Sequence, residues 1–417
     1  MLTPHTASSV LAAWRLQRAG RHVEALSRLE RAGLRSGLRL RSLFALELHQ
    51  AFLDELTTPR GWQIAARGLA RLALGDTSAA ADDLATATAR PARFGLWLRA
   101  ASALALIDPG RLRVALEPRQ REAPAAILLA HLAERAGARD RAIGLLDGLR
   151  LSARWTAEAD LLRANLGDDI AVARVFPGED EAAVSGGPLV SVIVAAHDAA
   201  STIEAALRSL LAQSWRDLEV LLVDDASTDD TAARAAAIEG VRVIRQARNE
   251  GAYVARNAGL AAARGAFLAF HDADDVARPE RIAAQMAPLL RDPELAFTTA
   301  RWVRRDSEGR FRARQIVPLI RRHVGSMLIR RTALDTVGNF DPVRYGADGD
   351  LLLRLELAAG PRGHAELTQP LTIGGFDPAS AVHDLVTGYG TAGFSLARQA
   401  YREMRTWALI EQLARCR

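Results

Sequence analysis

The feature that most constrains the fold is a change of sequence pattern near Pro188. From Ala12 to about Ala173 the chain is rich in Ala, Leu and Arg, and its apolar residues recur at helical spacing. After Pro188, short runs of Val, Ile and Leu alternate with helical stretches, which is typical of βαβ units and a parallel sheet. The sequence therefore predicts an all-α region followed by an α/β domain.

The 417 residues are enough for two or three domains with their own cores. We predict an all-helical domain over residues 1–175 and a Gly/Pro-rich linker over residues 176–187. The α/β domain is expected over residues 188–378, and a helical C-terminal extension over residues 379–417.

The helical region contains a repeated phrase, in which a glycine is followed five residues later by Ala or Val. The glycines of this phrase are Gly20, Gly75, Gly110, Gly137 and Gly167. A glycine that ends one helix, with a small residue where two helices cross, is typical of stacked helical hairpins. The irregular intervals leave two interpretations open, namely degenerate tetratricopeptide-like repeats and an Ala-rich bundle without true repeats.

Composition excludes several classes of protein. The net charge of +5 comes without a dense basic tract interleaved with aromatics, so nucleic-acid binding is not expected. The single cysteine, Cys416, excludes a disulfide framework within the chain and fits a reducing compartment. The N-terminus lacks a signal-peptide pattern, and no stretch reaches the roughly 20 apolar residues of a membrane span. We expect a cytoplasmic protein, at most peripheral at the inner face of a membrane.

The first two apolar runs of the α/β region each end in polar side chains. His197 and Asp198 follow the run that ends at Ala196, and the pair Asp224 and Asp225 follows the next run. In an open parallel sheet, ligands bind at the carboxyl ends of strands, so these residues are candidates for a site. The other interpretation of the Asp pair is a capped turn before a helix, because Asp commonly caps helices.

A third apolar run ends in the acidic segment His271-Asp-Ala-Asp-Asp275. Its three carboxylates lie within four residues and repel one another unless a cation is near. Mg²⁺ or Mn²⁺ prefers oxygen ligands and often bridges carboxylates to substrate phosphates. The segment therefore suits a metal-bound diphosphate, with an acidic solvated loop as the alternative. The sequence contains no P-loop and no dinucleotide-binding fingerprint.

Taken in order, four stretches resemble the family 2 glycosyltransferases, which are inverting enzymes with the GT-A fold. The stretches are PLVSVIVAAHDAASTIEAALRSLLAQSW, DLEVLLVDDASTDDT, ARNEGAYVARNAGLAAARGAFLAFHDADDVARPERI and GSMLIRRTALDTVGNFDPVRYGADGDLLLRL, between about Pro188 and Glu356. The resemblance implies an α/β fold class: a GT-A nucleotide-diphospho-sugar transferase with a Rossmann-like mixed sheet, preceded by an all-α helical-hairpin repeat domain.

The resemblance also implies which residues bind the nucleotide-sugar. They are Ala196, His197, Asp198, Asp224, Asp225, Arg256, Asp272 and Ala273. Asp224 would contact the base of the donor, Arg256 the base or phosphate, and Asp272 the ribose. Asp274 resembles the principal metal ligand, so the implied cofactor is Mn²⁺ or Mg²⁺ acting as a Lewis acid. The sequence departs from the usual pattern at His197-Asp198, where Tyr-Asn is common, and at His271, where an apolar residue is usual.

Inverting transfer needs a general base, and the family places an Asp before a helix for this purpose. Asp348 is the candidate base and Asp350 its rival, since Asp350 also reads as an N-terminal charge for a helix over Leu351–Ala359. His323 and His383 are candidates for the acceptor pocket, with a surface or structural role favoured for each.

Together these implications describe metal-dependent, inverting transfer of a single sugar from a nucleotide-diphospho-sugar, with a UDP-sugar favoured. The acceptor is expected to be a carbohydrate or lipid-linked glycan, in surface or capsular polysaccharide or glycoconjugate biosynthesis. The helical domain would bind a protein partner or self-associate. The alternative is a catalytically degenerate GT-A scaffold that acts as an interaction module through its helical repeats.

Overall fold

The computed structural model describes residues 4–18, 21–34, 37–89, 94–147, 149, 151–176, 183–313, 318–376 and 396–415. The chain divides into two compact units. The helical unit comprises Met1–Phe176, Phe311–Leu319 and Asp377–Arg417, and the α/β unit comprises Pro177–Arg310 and Ile320–Phe376. An all-α region thus precedes a mixed α/β region, as the sequence predicts. Half of the predicted linker, residues 177–182, lies outside the described residues, as does His383.

Helices and strands are numbered along the whole chain. The helices are α1 (Pro4–Arg18), α2 (His22–Arg31), α3 (Gly37–Ala45), α4 (His49–Glu55), α5 (Trp62–Ala73), α6 (Thr77–Thr88), α7 (Phe94–Ile107), α8 (Pro109–Leu116), α9 (Ala123–Arg135), α10 (Arg139–Leu146), α11 (Ala153–Asn165), α12 (Asp169–Val175), α13 (Ile203–Leu211), α14 (Thr231–Ala236), α15 (Ala252–Ala262), α16 (Arg281–Arg291), α17 (Arg331–Val337), α18 (Ala347–Ala359) and α19 (Leu396–Arg415), with a short 3₁₀ helix at Glu117–Arg119. The strands are β1 (Val190–Ala196), β2 (Leu218–Asp224), β3 (Val241–Arg245), β4 (Phe267–Asp272), β5 (Val276–Ala277), β6 (Phe297–Arg305), β7 (Phe311–Arg312), β8 (Arg321–Arg330) and β9 (His364–Gly375).

Three of the predicted glycines make the turns of helical hairpins. Gly75, Gly137 and Gly167 join α5 to α6, α9 to α10 and α11 to α12, with φ angles of 89°, 74° and 87°. After each glycine, the next N–H bonds the carbonyl five residues earlier, at 2.8 to 3.1 Å, which is the Schellman ending of a helix. Gly110 does not end a helix as predicted, because it is the second residue of α8, and Gly20 lies outside the described residues.

The helical unit also takes in a segment from much later in the sequence. Asn165 of α11 bonds the backbone of Phe311 twice, at 2.6 and 3.0 Å. Glu134 of α9 accepts two hydrogen bonds from Arg312, at 2.9 and 3.0 Å. Residues 311–319 therefore group with the helices, although the sequence-based boundaries assign them to the α/β domain.

The α/β unit is built on a mixed sheet whose strands run in the order β3-β2-β1-β4-β8-β6-β9-β5. β3, β2, β1 and β4 are parallel neighbours, and β8 is antiparallel to β4. The predicted strands are apolar on both faces because both faces are covered. Val192 and Val194 of β1 pack in one core with α13 and α16, and Ile193 packs in the other with α15 and α18.

The helix after β1, α13, begins at Ile203, and its N-cap is Thr202. One detail of the helices differs from the sequence-based expectations. Asp348 was expected to precede a helix, but it lies in the first turn of α18. None of the helices in the described part of the chain combines the length and the apolar character that a bilayer crossing requires.

Candidate functional site

The register of the parallel strands aligns their polar carboxyl ends. Ala196 at the end of β1 pairs with Asp224 of β2, and Ala195 pairs with Asp272 of β4. Asp224 is buried, and its Oδ1 accepts a hydrogen bond from the N–H of Ser227 at 3.3 Å. The structure therefore brings the ends of the predicted strands together at one edge of the sheet, where open α/β sheets bind ligands.

The carboxylate of Asp225 holds the chain segment that leads into α15. Its Oδ1 accepts from the N–H of Glu250 at 2.9 Å, and its Oδ2 accepts from the N–H of Gly251 at 2.7 Å. Its own N–H donates to the carbonyl of Ala196 at 2.8 Å. Both carboxylate oxygens of this buried residue are therefore engaged by backbone groups.

His197 and Asp198 tie the loop after β1 to the loop after β2. Nδ1 of His197 donates to the carbonyl of Asp225 at 3.0 Å. Oδ1 of Asp198 accepts from the N–H of Thr228 at 2.7 Å, and that N–H lowers the pKa of Asp198. Both side chains stay about two-fifths exposed, at 38% and 42%, so they can also line a binding site.

Arg256 of α15, which is buried, forms an ion pair with the partly exposed Asp272 at the end of β4. Its Nη2 donates to Oδ1 of Asp272 at 2.5 Å, and its guanidinium lies 5.3 Å from the ring centroid of Tyr253. Burial alone would raise the pKa of Asp272, but Arg256 and His323 outweigh it and hold that pKa well below its usual range. Asp272 is therefore an ionised carboxylate with a fixed cationic partner.

Asp348 and Asp350 differ in their surroundings although they are two residues apart. Oδ1 of Asp348 accepts from the hydroxyl of Tyr253 at 2.8 Å and from the N–H of Gly349 at 2.9 Å. Asp348 is only partly buried. Asp350 is 5% exposed, and its Oδ2 accepts from Nε of Arg354 at 2.8 Å. Tyr253 thus links Asp348 to Arg256 and Asp272, whereas Asp350 belongs to a buried ion pair within α18.

Three side chains form a group with the spacing of metal ligands. Donor atoms of Asp272, Asp275 and His323 all lie within 4.8 Å of one another. Nε2 of His323 is 3.8 Å from a carboxylate oxygen of each Asp. Asp275 is 2% exposed, and its Oδ2 has no hydrogen-bond partner in the described part of the chain. Burial, together with the charges of Asp272 and Asp274, raises the pKa of Asp275.

The predicted metal ligand, Asp274, lies at the exposed tip of the same loop. Asp274 is not part of the group of three donors. The preceding residue, Ala273, is partly buried against the core of the sheet. An ideal Cβ on Gly375 of β9 would lie 3.8 Å from the carboxylate of Asp274. The acidic segment therefore divides into an exposed carboxylate, Asp274, and a buried group that includes Asp275.

A histidine stands at position 271, where the family usually has an apolar residue, and its buried hydrogen bonds explain this difference. Nη1 of Arg281, which is fully buried, lies 2.8 Å from Nδ1 of His271. Because a guanidinium only donates, Nδ1 of His271 accepts. Its Nε2 is therefore protonated and donates a hydrogen bond to the carbonyl of Asp275 at 3.1 Å. Burial, followed by the charge of Arg281, lowers the pKa of His271 to about 3. A neutral imidazole therefore fixes the backbone of the acidic loop.

Gly374 and the ring of Trp302 pack against the group formed by Asp275 and His323. The ring of Trp302 in β6 stacks on His323, with centroids 4.2 Å apart and planes 8° apart. A Cβ on Gly374 of β9 would lie 2.7 Å from Oδ1 of Asp275 and 2.8 Å from the ring of Trp302. A side chain at position 374 would therefore displace the acidic group, so glycine is required there.

Sequence reasoning did not identify Tyr253, Arg281 or Asp275 as members of this site, and it favoured a structural or surface role for His323. Their contacts join residues far apart in sequence, such as Tyr253 and Asp348, so no local pattern marks them. The one available signal was the third carboxylate of the acidic segment, Asp275.

An open sheet with acidic side chains at the carboxyl ends of its parallel strands is the arrangement of a nucleotide-binding α/β domain. Residues 191–351 match the family model described as Glycosyl transferase family 2. This part of the chain is therefore a glycosyltransferase family 2 domain, which follows an N-terminal all-helical region. The predicted fold class and the family of the α/β domain are confirmed.

Several curated proteins are similar to part of the chain. The succinoglycan biosynthesis protein ExoO of Rhizobium meliloti is 47% identical over 102 residues, which is 24% of this chain and 29% of that protein. The O-antigen biosynthesis protein RfbC of Myxococcus xanthus is 35% identical over 217 residues, which is 48% of this chain and 17% of that protein. The domain is thus related to proteins named for polysaccharide biosynthesis.

A third relative has a name that specifies its reaction. The Escherichia coli protein WfaP, named UDP-Glc:alpha-D-GlcNAc-diphosphoundecaprenol beta-1,3-glucosyltransferase, is 42% identical over 89 residues, 21% of this chain and 36% of that protein. The chain matches between 17% and 36% of the length of these three curated relatives.

Among solved structures, the chain is similar to S. aureus TarS 1–349 in complex with UDP. The sequence identity is 21%, the TM-score is 0.38, and the match covers 46% of this chain and 61% of that chain.

Proposed function

We propose that the α/β unit transfers a single sugar from a nucleotide-diphospho-sugar to an acceptor hydroxyl, with inversion at the anomeric carbon. The observation that carries this proposal is the linked set of Asp272, Arg256, Tyr253 and Asp348 at the carboxyl end of the sheet. The names of ExoO and RfbC favour a role in surface polysaccharide or glycoconjugate biosynthesis, with a carbohydrate or lipid-linked glycan as acceptor.

The donor would lie along the ends of β1, β2 and β4. We assign Asp224 to the base, Arg256 to the base or a phosphate, and Asp272 to the ribose. A UDP-sugar is favoured because the name of WfaP specifies UDP-Glc. Asp225 and Asp198 would shape this pocket through the backbone, since their carboxylates already accept backbone N–H groups.

The same pocket would be lined by Ala196, His197 and Ala273. His197 is 38% exposed and held by its Nδ1, which leaves the ring face available for contact with the donor. Ala196 and Ala273 are small, so the backbone at these two points can approach the nucleotide closely. We assign these three residues to contact with the donor, and none of them takes part in the transfer step.

Asp348 is the proposed general base. Its Oδ1 accepts two hydrogen bonds, which leaves Oδ2 as the oxygen that takes the proton of the acceptor hydroxyl. The attack of that hydroxyl on the anomeric carbon breaks the bond to the nucleoside diphosphate. The buried pairing of Asp350 with Arg354 supports Asp348 over its rival. General-base catalysis of this kind contributes on the order of 10²- to 10⁴-fold to the rate.

The acidic segment fits a divalent cation. The oxygen donors suit Mg²⁺ or Mn²⁺, the imidazole of His323 favours Mn²⁺, and Oδ2 of Asp275 is a buried acceptor without a partner among the described residues. Asp274 is the proposed principal ligand, and Asp272, Asp275 and His323 form a second set of donors beside it. When bound, the cation supplies Lewis-acid stabilisation of the departing diphosphate.

The proposal is tested by calorimetric titration with UDP-, GDP- and dTDP-sugars, in Mn²⁺ and in EDTA, alongside assays of donor hydrolysis. We expect metal-dependent binding of one nucleotide family, and loss of that binding in Asp274→Asn. Glu239→Gln removes an exposed carboxylate of the same unit and is the matched control.

Two outcomes would change the proposal. If the folded protein binds no donor with any metal, the transferase is rejected and the degenerate scaffold with interacting helical repeats takes its place. If Mn²⁺ binding followed by electron paramagnetic resonance survives Asp274→Asn but not Asp275→Asn or His323→Gln, the buried group is the cation site instead.

A further inference from the structure

The helical unit contains a cavity whose lining is dominated by arginine. The cavity has a volume of about 280 Å³ and lies among α1, α2 and α19. The side chains that give it its character are Arg15, Arg21, Glu24, Ser27, Arg28 and Arg31, and we call it the arginine cavity. Its volume is close to the lower end of the range of about 300 to 1,000 Å³ for small-molecule sites, so it suits a compact ligand group.

The charges around the arginine cavity are not balanced. Arg21 forms a bidentate ion pair with Glu24, and this pair is neutral overall. Arg15, Arg28 and Arg31 have no ion-pair partner in the part of the chain that the structure describes. Arg15 and Arg31 are exposed and Arg28 is partly buried, so an anion in the cavity would be attracted by three positive charges that no described carboxylate pairs with.

Two buried polar atoms at the cavity also lack hydrogen-bond partners. Ser27 is 2% exposed, and neither its Oγ nor the buried Nε of Arg28 has a partner among the described residues. Leaving a buried donor without a partner is unfavourable, and native structures seldom do so without a reason. A ligand with several acceptor oxygens would satisfy both groups.

The position of the arginines in their helix accounts for only part of this arrangement. Arg28 and Arg31 lie in the last turn of α2, where positive charge interacts favourably with the helix dipole. That interaction involves neither Arg15, which comes from α1, nor the buried hydroxyl of Ser27. Cationic side chains from two helices and a buried hydroxyl therefore converge on one cavity for a reason other than helix capping.

We propose that the arginine cavity binds a phosphate or diphosphate group. Guanidinium groups bind phosphate oxygens through paired, charge-assisted hydrogen bonds, and Ser27 adds a neutral donor. The source of this chemistry is either a free phosphorylated molecule or the headgroup of a phosphate-bearing lipid. The proposal concerns the helical unit alone and does not depend on transferase activity in the α/β unit.

The test uses the full chain in EDTA at constant ionic strength, titrated calorimetrically with inorganic pyrophosphate. In parallel, sedimentation is measured with phosphatidylcholine vesicles that contain or lack phosphatidic acid. The variants are Arg28→Gln and Arg31→Gln, of which Arg31 is exposed and less important for folding. Arg121→Gln removes one exposed positive charge away from the cavity and serves as the matched control.

We expect pyrophosphate, phosphatidic acid vesicles, or both to bind, and each cavity variant to weaken that binding by about tenfold or more. Binding of pyrophosphate alone identifies a free phosphorylated ligand, and binding of vesicles alone identifies a lipid headgroup. The proposal is overturned if neither binds, or if Arg121→Gln weakens binding as much as Arg31→Gln does. It is also overturned if both cavity variants bind like the unchanged chain.

Discussion

Arginines have opposite surroundings in two regions of this protein, the end of the sheet in the α/β unit and the arginine cavity of the helical unit. In the α/β unit, Arg256 pairs with Asp272 at 2.5 Å, and Arg354 pairs with Asp350 at 2.8 Å. In the arginine cavity, Arg15, Arg28 and Arg31 have no ion-pair partner among the described residues. A buried arginine with a carboxylate fixes geometry, whereas a cluster without one is suited to an anion from outside. Arg256 and Arg354 therefore fix the positions of carboxylates, whereas the arginines of the cavity are available to a ligand.

The same contrast exists within one helix of the α/β unit. Asp348 and Asp350 are two residues apart in α18, but Asp348 accepts from the hydroxyl of Tyr253 and Asp350 accepts from the guanidinium of Arg354. A partly exposed carboxylate that accepts bonds from neutral donors can take a proton during a reaction. A carboxylate in a buried ion pair contributes to stability instead. Four predictions test or sharpen these comparisons.

The largest effect is expected for Asp348→Asn. An amide cannot take the proton of the acceptor, so turnover should fall by about 10²- to 10⁴-fold while donor affinity stays nearly unchanged. Turnover and donor binding are measured separately, by initial rates and by calorimetry. Asp335→Asn, an exposed change in the neighbouring α17, is the control. Unchanged turnover in Asp348→Asn would contradict its assignment as the base.

Asp350→Ala should act on stability rather than on chemistry. It leaves the guanidinium of Arg354 without its carboxylate, and breaking such a buried pair costs about 3 kcal/mol. Arg354 would still donate to the carbonyls of Val337 and Asn339, so the fold should survive. Urea unfolding measures the loss. If instead the folded variant loses turnover as severely as Asp348→Asn, the assignment of the two carboxylates must be exchanged.

A pH effect of intermediate size is expected in the helical unit. Burial lowers the pKa of His131 in α9 from 6.5 to about 3. Between these values the unfolded chain binds a proton that the folded chain does not, so stability falls as pH falls below about 6.5. His131→Leu should remove up to about 1.4 kcal/mol per pH unit of this dependence.

The measurement for His131 is urea unfolding of both proteins at a series of pH values from 8 downwards. Above pH 7 the imidazole is neutral in both states, and the difference in stability between the two proteins should be constant. A constant difference at all pH values would show that His131 does not couple protonation to folding.

The smallest effects distinguish two glycines of the helical unit. Gly137 has a φ of 74°, so Gly137→Ala should destabilise by about 1 to 2 kcal/mol. Gly110 lies in α8, where Ala has the higher helix propensity, so Gly110→Ala should be neutral or stabilising by up to about 1 kcal/mol. Thermal unfolding of the pair checks the signs. The same sign for both changes would argue against the hairpin turn at Gly137.

The ends of the central strands were predictable because buried parallel strands are nearly continuous apolar runs. The apolar run predicted to end at Ala196 ends where β1 ends, and the polar residues that follow it lie where expected. The contacts of those residues were not predictable. Asp225 is engaged by backbone N–H groups of Glu250 and Gly251, and nothing in its own neighbourhood in sequence shows this.

The helical unit was predictable in kind but not in extent. Helical spacing and the glycines at Gly75, Gly137 and Gly167 identify its hairpins, since each glycine has a positive φ. Gly110 shows the limit of this reasoning, because a glycine can also lie within a helix. No periodicity marks Phe311–Leu319 as part of the unit, because its contacts to α9 and α11 are specific hydrogen bonds at long sequence separation.

That distant segment bears on the order in which the chain is synthesised. Residues 1–176 are synthesised before the α/β unit, but the same unit also includes Phe311–Leu319 and α19, which are synthesised after most of the α/β unit. Domains generally fold in the order of their synthesis, but these helices cannot form all of their contacts until the later segments are made. The backbone amide of Phe311 and the guanidinium of Arg312 reach Asn165 and Glu134 only at that late stage. Of the two units, the one whose synthesis begins earlier is therefore the one that is completed later.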